Sequence, residues 1–170
     1  VYKHALVIAS EKLSSITEGT DRNTCVRFGD GAGAAGVGPG EKGGILSTSL
    51  GADGHQGDLI KLPAGGSRIP ATRKSIEDKL HFIKMNGSEL FKHAVRIMAD
   101  AATAATRPIG LKAEDINLVI PHQANIRIIQ AAAKKLGLSM DRVVVTVDRH
   151  ANTSAASIPL ALDDAVQDGR

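Results

Sequence analysis

From residue 87 onward the chain alternates between two hydrophobic periods, and this constrains its fold more than any other feature. Residues 87–106 carry apolar side chains at Phe91, Ala94, Val95, Met98, Ala101, Ala102 and Ala105. That is helical spacing with a narrow, Ala-rich face. Pro108 and Gly110 stop the helix. Residues 116–120 read as a strand, and 125–136 as a helix closed by Gly137. Residues 143–147 read as a strand of β-branched residues, and 154–167 as a helix with Pro159 near its start. Short runs that are apolar throughout need cover on both faces. The order predicts an α/β fold with a parallel or mixed sheet between helices.

The earlier residues are less regular. A buried strand is expected at 5–9, a polar loop at 13–23, and a strand at 25–28 that ends in Gly29-Asp30-Gly31-Ala32-Gly33. A returning strand is expected at 34–37 and another at 45–50. Residues 51–76 are rich in Gly, Pro and Ser and predict a long surface excursion.

The 170 residues suit one domain or a piece of a larger protein. Val1-Tyr2-Lys3-His4 has neither an initiator Met nor a signal-like pattern, and Arg170 stops just past a helix. The expectation is a longer parent chain cut at both ends. Aromatics make up 2% of the residues, too few for a single-strand nucleic-acid stacking surface. The net charge of +3 permits an acidic partner without demanding one. No apolar run approaches a membrane span, and neither nucleic acid nor membrane is expected as a partner. Cys25 is the only cysteine, so an internal disulfide is excluded. Its setting in Thr24-Cys25-Val26-Arg27-Phe28 reads as a buried structural thiol in a strand.

Gly31-Ala32-Gly33-Ala34-Ala35-Gly36 fits a dinucleotide-binding pattern. That reading needs a helix directly afterwards, and Val37-Gly38-Pro39-Gly40 cannot supply one. The glycines are read instead as a tight turn between strands, with Asp30 holding loop amides. Among six histidines none shows the spacing of a zinc-binding helix. His122 stands apart because it ends the run Leu118-Val119-Ile120-Pro121, where open α/β sheets place their ligand crevices. Asn152 reads either as the cap of the helix that follows or as a carboxamide aimed into the same crevice. Arg127, Lys134 and Lys135 form either a solvated basic face or a docking face for an acidic protein.

Three blocks carry a resemblance. They are Phe28-Gly29-Asp30-Gly31-Ala32-Gly33-Ala34-Ala35, the segment 119–129 containing Pro121-His122-Gln123-Ala124-Asn125, and the segment 148–159 containing Asn152-Thr153-Ser154-Ala155-Ala156-Ser157. Together they resemble beta-ketoacyl-[acyl-carrier-protein] synthase III, over essentially the whole chain. The resemblance implies a thiolase-like layered α-β-α-β-α fold. Residues 1–50 would close the first half, and residues 51–170 would form the C-terminal half, lacking the last strands. It implies a Cys-His-Asn triad with His122 and Asn152 as the catalytic His and Asn, and a nucleophilic Cys in an N-terminal half that this chain does not match. Gln123, Ala124, Asn125, Ile126 and Arg127 match the family's segment for the carrier protein. Ala151 stands where the family usually has Gly.

The implied activity is a decarboxylative Claisen condensation of an acyl-CoA starter, expected to be acetyl-CoA, with malonyl-acyl carrier protein. It begins type II fatty-acid synthesis in the cytoplasm. No cofactor or metal is expected beyond the coenzyme A thioester, which is a substrate. The expected partners are an acidic acyl carrier protein, the N-terminal half and a second copy in a homodimer. The alternatives are a polyketide or quinolone-type synthase of the same fold, and an inert half that serves only in assembly.

Overall fold

The computed structural model describes residues 2–41 and 43–170; Val1, named above, lies outside them. Strands β1 (Ala5–Lys12) and β2 (Asp30–Val37) pair antiparallel, with Ala5 opposite Val37 and Lys12 opposite Asp30. β1 is longer than expected and is exposed rather than buried, with Leu6, Val7 and Ile8 open to solvent.

Residues 25–28 are not the expected strand. Residues 22–27 form turns and only Phe28 bridges, to Asn152. Asp21 explains the difference. Its carboxylate accepts from the Asn23 N–H at 3.0 Å and the Thr24 hydroxyl at 3.1 Å. Its carbonyl accepts from the Thr24 and Cys25 amides. This local bonding outcompetes the strand preference of the β-branched residues. Cys25 is therefore a half-buried turn residue.

The glycines form no turn. They lie in and just before β2, at alternate positions that face one side. A Cβ on Gly33 would meet the Pro159 ring at 2.8 Å, and one on Gly29 would meet the His150 carbonyl oxygen at 2.9 Å. One on Gly31 would meet Leu160 and Thr153 at 3.1 Å. The glycines let a helix start lie directly on the strand. Asp30 does hold a loop amide, that of Ser14, at 2.8 Å.

Residues 45–50 form no strand, and Ile45, Leu46 and Leu50 are exposed. The excursion that follows holds a 3-10 turn (Gly54–Leu59), β3 (Ile60–Lys61) and α1 (Arg73–Glu77). β3 pairs antiparallel with β4 (Lys84–Met85). Then comes α2 (Gly87–Thr106), as the periodicity predicts, capped by the Asn86 side chain. α3 (Ile126–Lys135) is capped by Asn125 Oδ1 on the Ile128 N–H at 3.0 Å. It ends at Gly137, whose φ of 71° closes the last turn. α3 packs on α2, where Arg127 lies over the Phe91 ring, 5.6 Å from its centroid. A short α4 (Val147–His150) and a 3-10 turn (Ser154–Ala156) lead into α5 (Ser157–Gln167).

The two expected parallel strands reduce to one bridge, Val119 to Val143, with the Val119 N–H on the Arg142 carbonyl at 2.8 Å and the Val144 N–H on the Val119 carbonyl at 2.9 Å. Pro121 stops the ladder, because it has no N–H to offer Val144. The Gln123 carboxamide takes its place: Nε2 donates to the Val144 carbonyl at 3.1 Å, and Oε1 accepts from the Thr146 N–H at 2.8 Å. Both faces of this pair are covered, as predicted. Val143 packs with Ile129, Ala133 and Leu138, while Val144 packs with Ala161 and Ala165.

Candidate active site

His122 follows Pro121 at the end of one strand segment. Its ring is half-buried, and Nδ1 lies 2.7 Å from the Ser157 hydroxyl. Burial pushes its pKa below the usual histidine value, partly offset by a backbone hydrogen bond to Ser154, so the ring is neutral at pH 7.

Asn152 is tied to the start of β2. Its N–H donates to the Arg27 carbonyl at 2.9 Å, and its carbonyl accepts from the Gly29 N–H at 3.0 Å. Its side chain does not cap α5. Oδ1 instead accepts from the Ser154 N–H at 2.9 Å. That bond fixes the carboxamide orientation and leaves Nδ2 as a donor for a ligand. The turn that holds Asn152 also holds the histidine, since the Ser157 hydroxyl touches both His122 Nδ1 and, at 2.7 Å, the Ser154 carbonyl. Ser154 sits at φ 50° and Ala151 at φ 56°, ψ −164°. The second conformation is essentially a glycine one, and alanine occupies it under strain.

A groove of about 650 Å³ opens beside the site, lined by Arg27, Ser88, Phe91, Lys92, Asn125 and Arg127 among others. A narrow cleft of about 60 Å³ shares Arg27, Phe91 and Asn125 with it and reaches Asn152. Of the two candidate residues only Asn152 lines this cleft; His122 lines a separate, mainly apolar pocket of about 260 Å³ with Met98, Ile120, Ile129 and Ile158 among others. A long flexible arm would fit the groove.

The five residues expected to face a carrier protein separate. Gln123 is fully buried and holds the strand ends together, so its side chain cannot meet a partner. Ala124 is half-buried and lines the cleft, and Asn125 caps α3. Ile126 and Arg127 are exposed at the groove. Ser157 was read only as part of a helix start. Its contact with His122 spans 35 residues, and no local signal announces it. Cys25 lies outside the cleft linings. Among the described residues no group of three or more His, Cys, Asp or Glu is placed to hold a metal, and no helix is long and apolar enough to cross a membrane.

Comparison with known proteins bears on the family and the fold. The family model described as 3-oxoacyl-[acyl-carrier-protein (ACP)] synthase III C terminal matches residues 107–170, and the one described as 3-oxoacyl-[acyl-carrier-protein (ACP)] synthase III matches residues 1–54. A beta-ketoacyl-[acyl-carrier-protein] synthase III of Natranaerobius thermophilus is 52% identical over 98% of this chain and 52% of its own length. One from Clostridioides difficile is 52% identical over 99% of this chain and 52% of its own length. The crystal structure of 3-oxoacyl-(acyl carrier protein) synthase III from Pseudomonas aeruginosa superposes with a TM-score of 0.87 at 37% identity, over 98% of this chain and 50% of that one. The Aquifex aeolicus structure gives 0.86 at 43% identity, over 98% and 50%. The chain thus spans about half the length of the relatives it matches, and it shares their thiolase-like α/β fold. By sequence and by fold, the chain belongs to the beta-ketoacyl-[acyl-carrier-protein] synthase III family.

Proposed function

We propose that His122 and Asn152 are the oxyanion donors of a decarboxylative Claisen condensation, in which an acyl-CoA starter and malonyl-acyl carrier protein give 3-oxoacyl-acyl carrier protein. One observation carries this reading: Asn152 Oδ1 is occupied by the Ser154 N–H, so the carboxamide can offer a ligand only its Nδ2 protons. A neutral imidazole pinned by the same turn supplies the second group. The relatives' names point to the same chemistry.

In this mechanism the C–C bond to the malonyl carboxylate breaks and CO₂ leaves. The electron pair passes to the thioester oxygen as an enolate. The two donors stabilise that charge where it develops, in a partly dry site. The enolate carbon then attacks an acyl-cysteine thioester, and the thiolate departs. Cys25 is not that nucleophile, because it sits in a turn outside the cleft. The cysteine would come from the half that residues 51–170 complement, with residues 1–50 belonging to that first half. The groove would hold the thioester arm, and Arg127 and Lys92 at its mouth would meet an acidic carrier protein. Coenzyme A is then a substrate and not a resident cofactor, and the assembly is a cytoplasmic homodimer.

The test is CO₂ release from labelled malonyl-carrier protein by a full-length synthase carrying this segment. His122→Ala and Asn152→Ala should each lower decarboxylation by about 10²- to 10³-fold, with acyl loading of the nucleophile largely spared. Near wild-type decarboxylation in either variant refutes the assignment.

A further inference from the structure

We propose that Asp164 is a positioning residue: its carboxylate holds Arg149 and His150, keeps the strained backbone of Ala151 in place, and so aims the Asn152 carboxamide. The effect on decarboxylation rests on the function proposed above; the effect on the carboxamide does not.

Ala151 holds φ 56° and ψ −164°, a conformation that persists only where the structure fixes both of its neighbours. On one side Asn152 is tied to the entry of β2, through the Arg27 carbonyl and the Gly29 N–H. On the other side stands α4, a single turn of four residues and too short to be rigid by itself. Its backbone bonds are local: the Arg149 and His150 amides donate to the Thr146 carbonyl, and the Ala151 amide to the Val147 carbonyl. Among the described residues, the hydrogen bonds and ion pairs that tie 147–150 to another element all end on one atom, Asp164 Oδ2. Arg149 Nη2 lies 2.9 Å from it and His150 Nε2 3.1 Å. A carboxylate only accepts, so both side chains donate to it. Asp164 is half-buried on α5, and α5 is itself anchored where Ala161 and Ala165 pack on Val144. There is little slack on the other flank either, since a Cβ on Gly29 would meet the His150 carbonyl oxygen at 2.9 Å.

The strain makes this anchor necessary. With Asp164 removed, residues 149 and 150 are free to turn and Ala151 relaxes towards negative φ. Asn152 is the next residue, and its Oδ1 then leaves the Ser154 N–H that fixes the carboxamide. Amide hydrogen exchange at Ser154, followed by NMR, reads that bond without any substrate. Asp164→Asn, which keeps the shape but not the charge, should speed Ser154 exchange by about 10-fold, the size expected when one hydrogen bond is lost. Asp164→Glu, which keeps the carboxylate, should restore most of the protection. Glycine takes the conformation of residue 151 without strain, so in the Ala151→Gly background Asp164→Asn should change the rate by about twofold or less. In a full-length synthase carrying this segment, Asp164→Asn should lower kcat for decarboxylation by about 10-fold with little change in KM, and by less in the Ala151→Gly background. An ion pair that serves only the fold would give equal losses in both backgrounds, and that result overturns the proposal. So does wild-type Ser154 exchange in Asp164→Asn. If Asp164→Asn unfolds alone but folds together with Ala151→Gly, the coupling is established; if it unfolds in both, Asp164 is structural and the proposal falls. If Ser154 exchange responds as expected while decarboxylation is intact in both Asp164→Asn and Asn152→Ala, the Asp164 assignment stands and the condensing role of Asn152 falls.

Discussion

Ala151→Gly should stabilise this protein, although it removes a methyl group. Ala151 holds φ 56° and ψ −164°, a region that L-residues enter at a cost of about 1–3 kcal/mol. Two effects oppose the gain. Glycine loses more backbone freedom on folding than alanine, about 0.5–1 kcal/mol. The methyl is only half-buried, which forfeits roughly half of the about 0.8 kcal/mol a fully buried carbon contributes. The balance favours glycine by about 1 kcal/mol near the upper part of the strain range. For a chain of this size that raises Tm by about 2–4 °C. Urea unfolding should show a higher midpoint with an unchanged slope. Ala151→Val, which adds β-branching at positive φ, should move the midpoint the other way. A midpoint for Ala151→Gly below wild type would mean that the left-handed backbone at 151 is not the state populated in solution.

Three further outcomes can be checked. Gln123→Ala removes a buried carboxamide that replaces a missing rung and leaves the Val144 carbonyl and the Thr146 amide unpaired; calorimetry should show a loss of about 2–5 kcal/mol. His122 has a folded pKa below its unfolded value of 6.5, so the unfolded chain binds more protons just under that pH. Its contribution is therefore complete above about pH 6.5 and is lost as pH falls below it, and stability-versus-pH curves of wild type and His122→Gln should converge on acidification. Arg127→Ala, in a full-length synthase carrying this segment, should raise KM for the carrier-protein substrate more than for acyl-CoA, with the difference shrinking in added salt; equal losses for both substrates would mark Arg127 as structural through its contact with Phe91.

The second half of the chain was legible because its elements are long and strongly periodic. α2 begins and ends as the apolar spacing of Phe91 to Ala105 predicts, and α3 stops at Gly137. His122 and Asn152 were legible as members of motifs. Three features were not. The Asp21 side chain converted a β-branched run into turns. The glycines at 29, 31 and 33 looked like turn residues, but they serve close packing against a helix more than 120 positions away. Gln123 appeared to belong to a docking surface, yet its carboxamide works as a surrogate peptide group behind a proline. Each of these depends on a partner that local pattern does not reveal.

The glycine-faced strand has a consequence for the relative height of the parts. Because β2 is bare at alternate positions and carries methyl groups at Ala32 and Ala34 between them, it works like a notched rule. Pro159 and Thr153 seat in the notches, and a slip of one residue would bring a methyl under each. α5 can therefore stop at only one level along the strand. Asn152 is bonded to Arg27 and Gly29, the residues that lead directly into that strand, so its carboxamide inherits that level. The chain thus sets the position of the Asn152 carboxamide not by tightening contacts around it but by allowing a single stop on a scale read from residues 29 to 33.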